Sequence, residues 1–278
     1  MNGTTQRFGQ GLLRAVLWAW VALAMVPLIW MVTTSLKPEG LAQSIPPTWV
    51  FAPTLQHYRD ALGGAQVTPF APLLLHSAIV AVLATIVSLV LGLLAAYALA
   101  RVRFAGKRQL AMWILSTLMF PPVVSVIPIF ILAGRLDIID RYPTLVIPYA
   151  AFNLPLVIWT LRSSIRQIPE EIEDAALVDG ASRYEIIFRI VLPLAGPGIA
   201  TAAILSMLLS WNEFLFALTL TRSLVKTAPV GINEFTGMFG TQWGSMSAAA
   251  TTIVAPVVLM ALLLRRHLIE GLTLGAVK

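Results

Sequence analysis

The chain has 278 residues, of which 58% are hydrophobic and only 12% charged. A soluble domain carries roughly 25% charge to cover its surface, so this composition fits the bilayer as solvent and excludes a soluble α/β enzyme, a disordered chain and a collagen-like chain. Cysteine is absent and the net charge is +6; the first rules out disulfides, thiolate-bound metals and thiol catalysis, and the second is a matter of topology, with no nucleic acid implied.

Charged residues bound the elements. Uncharged stretches run over residues 15–36, 61–100, 109–134, 142–161, 190–212 and 235–264, each 20 to 40 residues long. About 20 helical residues cross a hydrocarbon core of roughly 30 Å. The longest stretch opens with Gly63, Gly64, Gln66, Pro69 and Pro72, which are loop formers, so a single crossing is expected in it, starting near Leu74. The expectation is an all-α polytopic membrane protein: a single transmembrane domain over 1–278, with six transmembrane helices at about 14–36, 74–100, 109–134, 142–162, 196–220 and 246–265. The first apolar run exceeds the usual 7–15 residues of a signal peptide, and Lys37-Pro38-Glu39 offers no small-residue cleavage site, so this span is expected to be retained.

Six crossings place both termini on one side. That side carries 13 Lys and Arg, including Arg101, Arg103, Lys107, Arg108, Arg162 and Arg166, against 6 on the other. The positive-inside rule makes the richer side cytoplasmic. Outside lie two long loops, about 38–72 with Trp49 and about 221–245 with Trp243 and Glu234. Pro121-Pro122 and Pro128 interrupt the third span, where each proline removes a backbone donor. The largest cytoplasmic segment, residues 163–195, joins spans four and five.

That segment reads as two short helices. Pro169 suits a helix start. Glu170, Glu171, Glu173 and Asp174 follow it, near the positive end of the helix dipole. Ile172, Ala175 and Ala176 form one apolar face, and Gly180, after Asp179, supplies the stop. Ser182-Arg183-Tyr184-Glu185 is a capping box that starts the second helix, and Pro193 and Pro197 punctuate the entry to span five.

The spacing within this segment resembles the signature of binding-protein-dependent ABC importer permeases: E-A-A, three residues, G, nine residues, I-x-L-P. Asp174-Ala175-Ala176, Gly180, Ile190, Leu192 and Pro193 stand at those positions, with Asp174 where the family usually has Glu. Thr34-Ser35-Leu36-Lys37-Pro38, Ala95–Arg101, Ser210–Phe214 and Gly271–Val277 are similar to the carbohydrate branch of the family, in which His76-Ser77 replaces a frequent Asn-Ser.

The resemblance implies a permease subunit for a sugar or polyol in a prokaryotic cytoplasmic membrane. It would pair with a second, homologous permease, and an extracytoplasmic solute-binding protein would deliver the substrate. Two ATPase subunits would grip a coupling helix at about Glu170–Val178. ATP and Mg would be bound by those partners: this chain has no G-x-x-x-x-G-K-[ST] and no expected cofactor of its own. The residues implied in coupling are Glu170, Glu171, Glu173, Asp174, Ala175, Ala176, Asp179, Gly180, Ile190, Leu192 and Pro193.

Polar residues at membrane depth are functional candidates. Asn153 lies near the middle of span four, and Trp211, Asn212 and Glu213 near the outer end of span five. Two readings stay open for them: helix-joining hydrogen bonds and an interfacial carboxylate, or the wall of a substrate path. No nucleophile–base set and no metal-ligand spacing among His57, His76 and His267 is readable, so no catalytic role is expected. A lone secondary transporter would call for buried ionisable groups or an inverted repeat; spans one to four and six hold no internal acid, and no repeat is visible.

Overall fold

The computed structural model describes residues 3–63, 69–237 and 240–273, with side chains described between residues 10 and 263 apart from Leu12. Gly64 and Gln66 of the first loop, Leu274–Val277 of the C-terminal motif and Lys278 lie outside the described residues, as do the side chains of Arg7, Arg265, Arg266 and His267.

The elements follow one another as α1 (Gly3–Leu36), α2 (Glu39–Ala42), α3 (Gln56–Gly63), α4 (Phe70–Arg101), α5 (Lys107–Ser116), α6 (Pro122–Arg135), α7 (Tyr142–Arg166), α8 (Glu170–Val178), α9 (Arg183–Glu185), a π-helical turn (Ile186–Val191), α10 (Leu192–Leu194), α11 (Gly196–Trp211), α12 (Leu215–Leu220), α13 (Ala228–Gly231), the two-stranded antiparallel ribbon β1 (Thr236–Gly237) and β2 (Gly240–Thr241), and α14 (Trp243–Thr273). Four helices are long and apolar enough to cross a membrane alone: Leu13–Leu36 within α1, α4, α7, and Trp243–Leu263 within α14. Two bent pairs complete the six apolar elements.

The third and fifth stretches depart from straight crossings. Lys107–Met119 and Pro122–Arg135 meet at 91°. The break falls at Phe120 and Pro121, both with extended backbone, because two consecutive prolines withdraw two helix donors and push the residue before each out of the α region. In the fifth, α11 ends at Trp211, and Asn212, Glu213 and Phe214 separate it from α12. The stretch Arg183–Leu194 meets α11 at 78°, beside Pro193 and Pro197, where the sequence placed punctuation.

The chain divides into two compact units, one of residues 1–71 and 232–254, the other of residues 72–231 and 255–278. In the first, α3 is fixed against the end of α1. Tyr58 and Ser35 share a hydroxyl hydrogen bond of 2.8 Å, and His57 Nε2 lies 2.8 Å from the Lys37 carbonyl oxygen. The His57 ring fills the space beside Gly244 that a Cβ would need. The Lys37 ammonium stands 4.7 Å from the centre of the Trp30 ring, a cation–π pairing for a buried charge. From residue 13 to residue 30 the side chains of α1 are exposed within the chain, as suits a helix whose solvent is lipid or another apolar surface.

In the second unit α4, α7 and α11 carry two apolar cores. One gathers Tyr97, Leu161, Ile165, Ile186 and Val191 beside α8; the other gathers Val80, Leu145, Tyr149, Phe216 and Leu220 beside α12. Small residues permit close helix approach, as expected where packing and not hydrophobicity drives association in lipid. A Cβ on Gly92 would overlap Val157, and one on Gly198 would overlap Ser164.

Candidate functional site

The surface formed by α8 and the turn after it is built almost entirely from local sequence. Pro169 takes the N-cap position and Glu170, Glu171 and Glu173 fill the first turn. At the other end Gly180 has φ +84°, the left-handed conformation that costs glycine least. Ala181 N–H donates to the Ala176 carbonyl at 2.9 Å and Gly180 N–H to Leu177 at 3.1 Å, the paired bonds of a Schellman motif. Ser182 and Glu185 then form the expected capping box, with Ser182 N–H donating to the Glu185 carboxylate at 2.9 Å. The bonds from Ser182, with Arg189 nearby, hold the Glu185 carboxyl below its ordinary pKa.

Tertiary packing decides which side of α8 is presented. Glu173, Ala176 and Leu177 face the core, Glu173 being 3% exposed. Glu171, Asp174, Ala175 and Val178, at i, i+3, i+4 and i+7, form the outward stripe, with Val178 89% exposed. Of the apolar face, Ile172 and Ala175 are exposed and Ala176 is half-buried against the core. Glu173 is not part of the presented surface: its carboxylate accepts from Arg101 Nε at 2.6 Å and Tyr97 hydroxyl at 2.8 Å. Burying a carboxylate requires such donors, since a lone charge there would cost several kcal/mol.

Arg101 serves as a clamp. Its Nη2 donates to the carbonyls of Ile165 and Ile168 at 2.9 and 2.6 Å, capping the end of α7, and Nη1 stands 3.5 Å from Glu170. One guanidinium thus ties the end of α4 to the end of α7 and the first turn of α8. The segment Ala95–Arg101 had stood out in the sequence, without a role for Tyr97 or Arg101.

The remaining positions sort by exposure. Glu170, Glu171, Asp174, Ala175, Asp179 and Gly180 are exposed, and so is Pro193 at the bend. Ile190 and Leu192 are half-buried against the core beside α8, where they help hold the helical hairpin in place.

At membrane depth the helix-joining reading fits the geometry. Asn153 is buried, and its Nδ2 donates to Ser206 Oγ at 3.0 Å and Ser210 Oγ at 2.8 Å, linking α7 to α11. Asn212 is exposed and donates to the Leu208 carbonyl at 2.8 Å. Glu213 accepts from Phe216 and Ala217 N–H at 2.9 and 3.2 Å, supplying α12 with acceptors for its first donors. Trp211 is buried. Among the described residues no three His, Asp or Glu side chains form a metal-holding group.

One residue escaped the sequence reading. Asp140, buried with φ +61°, accepts four backbone N–H bonds, from Arg222, Ser223, Leu224 and Val225, at 2.9–3.1 Å. It locks the turn before α7 to the loop after α12. Burial pushes its carboxyl upward, but the four donors outweigh this and leave it below the usual carboxylate range. The available signal was weak: Asp is one of the few residues that tolerates a left-handed turn.

Residues 88–273 match the family of binding-protein-dependent transport system inner membrane components, and that range contains α8, its clamp and the bend after it. The chain belongs to this family. It is 38% identical over 279 aligned residues to the trehalose transport system permease protein SugB of Mycobacterium tuberculosis, covering 96% of this chain and 99% of that protein. It is 35% identical to the trehalose/maltose transport system permease protein MalG of Thermococcus litoralis, with 92% of each chain covered. The fold is similar to that of a chain in a bacterial ABC transporter involved in the import of the acidic polysaccharide alginate, with a TM-score of 0.76, 23% identity, and 96% and 98% of the two chains covered. The alignments to both permeases run over most of each chain, beyond the range matched by the family model.

Proposed function

We propose that this membrane component is the permease subunit of an ATP-driven importer of a sugar or polyol. It works with a second, homologous permease, two ATPase subunits and an extracytoplasmic binding protein. The observation that carries the reading is the outward stripe of α8, Glu171, Asp174, Ala175 and Val178. It joins carboxylates and small apolar groups on a helix held rigidly to two membrane helices. A groove on an ATPase that takes such a helix would move α4 and α7 with it, because the Arg101 clamp leaves α8 little freedom of its own.

ATP and Mg belong to the ATPases in this reading, and the chain is non-catalytic. Its family of transport subunits supports that view. Relatives named for trehalose and maltose transport support a carbohydrate substrate. The distribution of Lys and Arg supports cytoplasmic termini and a cytoplasmic α8. Asn212, exposed at the break between α11 and α12, is the side chain best placed for a substrate path.

The test uses the absence of cysteine. A single Ala175→Cys substitution in the chain, expressed with its native subunits, should react with an impermeant thiol reagent from the cytoplasmic side alone and, once alkylated with a photoactivatable maleimide, should cross-link to an ATPase on illumination. A chain that purifies folded but without any ATPase, or an introduced thiol that is labelled from outside, would overturn the assignment.

A further inference from the structure

A basic hollow of about 400 Å³ lies where α5 begins and α7 ends, lined by Lys107, Arg108, Met112, Trp159, Arg162 and Arg166. The first two cations stand in the first turn of α5, the other two in the last turns of α7. Among the described residues no carboxylate lines it. On α8, Glu170 lies close enough to act on the Lys107 charge, and its carboxylate stands 3.5 Å from Arg101 Nη1.

Two of the cations are already oriented. Lys107 Nζ donates to the Val102 carbonyl at 2.9 Å and to Ala100 at 3.2 Å. Arg162 Nε donates to Leu99 at 3.2 Å, and its guanidinium lies 5.2 Å from the centre of the Trp159 ring. Arg108 and Arg166 are exposed and form none of the ion pairs found among the described residues. The start of α5 adds donors of its own. Gly106 at the N-cap has no side chain, the first turn holds no acid, and the helix runs for 10 residues. Four cations around one space, two of them in the first turn of α5, form a receptor for an oxyanion with more than one negative oxygen.

Depth and surroundings specify the oxyanion. Trp159, one turn before Arg162, lies where a membrane helix nears the interface. Met112, which lines the hollow, and the next residue Trp113 are 57% and 66% exposed, so apolar surface of α5 lies open beside the charges. A free anion has no use for that surface, whereas an acyl chain does. Four lining cations against no lining carboxylate match a headgroup of net negative charge better than a zwitterionic one. We infer that this hollow binds the phosphate headgroup of an anionic phospholipid, with Lys107, Arg108, Arg162 and Arg166 around the phosphate and an acyl chain along Met112 and Trp113. The inference requires only that α5 and α7 lie in a membrane, and is independent of any coupling to ATPases.

The test is native mass spectrometry of the full chain, with the subunits that purify with it, titrated with phosphatidylglycerol or phosphatidylcholine of equal chain length. Phosphatidylglycerol should be retained preferentially. At roughly fivefold per interfacial cation, the Arg108→Gln/Arg166→Gln double variant should lose about 10- to 30-fold of that retention. Arg166→Lys should keep most of it. Both substituted residues are exposed, and unchanged gel filtration and circular dichroism would show an intact fold; each single variant serves if the double does not fold. Equal retention of the two lipids by the parent chain, or undiminished phosphatidylglycerol retention by the folded variants, would overturn the inference. So would saturation by millimolar inorganic phosphate that phosphatidylglycerol cannot displace, which would make the site one for a soluble anion.

Discussion

Arg101 Nε and Glu173 Oε1 lie 2.6 Å apart, both side chains almost fully buried, at the junction of the last turn of α4 and the first turn of α8. The pair is the mechanical link between a membrane helix and the exposed stripe. Removing either partner strands a buried charge, at a cost of about 3–5 kcal/mol. Glu173→Ala and Arg101→Ala should each lower the melting temperature in detergent and abolish solute uptake. A double-mutant cycle should be strongly non-additive, with the double variant close to either single one. Additive losses would mean that the two side chains act independently and that the clamp does not exist.

The outward stripe should behave in the opposite way. Asp174→Lys changes an exposed carboxylate and should leave thermal stability within about 0.5 kcal/mol of the parent. Recovery of the ATPase in a pull-down, and uptake, should fall at least tenfold. Equal ATPase recovery by this variant and the parent would remove the stripe from the coupling interface.

Gly180 tests the turn itself. At φ +84° an alanine would cost about 1–2 kcal/mol of local strain. Gly180→Ala should reduce uptake more than it reduces the amount of chain in the membrane, while Gly180→Asn, which tolerates this conformation, should restore part of it. The measurement is uptake normalised to chain content. Identical behaviour of Ala and Asn would show that backbone strain is not the cause.

Asp140 gives a pH prediction. Its folded carboxyl titrates below the ordinary range, so its contribution is present above the unfolded value of about 3.9 and is lost as pH falls through the lower folded value. Asp140→Asn should destabilise the chain by about 1–3 kcal/mol at pH 7, since one amide oxygen cannot replace a carboxylate that accepts four N–H bonds. Comparing melts of variant and parent from pH 7 downward should show the gap narrowing only below about pH 4. A gap that closes already near pH 6 would point to another group.

Asn153 separates the two readings of the polar residues in the membrane. Its bonds to Ser206 and Ser210 join α7 to α11, and such bonds contribute about 0.6–2 kcal/mol in lipid. Asn153→Ala should lower stability by that amount and leave the substrate concentration for half-maximal uptake unchanged. A large rise in that concentration at unchanged stability would place Asn153 on the substrate path instead.

What the sequence determined by itself is what depends on neighbours along the chain. Charge-free runs located the apolar elements, Pro121-Pro122 marked the break that opens to 91°, and Gly180 and the Ser182–Glu185 box ended one surface helix and began the next. These features rest on helix period, proline geometry, left-handed backbone and local hydrogen bonds, all readable within a few residues. Tertiary structure alone decided which carboxylate of Glu173 and Asp174 faces outward. The two are adjacent and chemically alike, and only the position of Arg101 and Tyr97 on another helix buries one and frees the other. The same reason hid the Asp140 lock and the basic hollow between α5 and α7: each joins residues from distant segments, and no local pattern records which of them will meet.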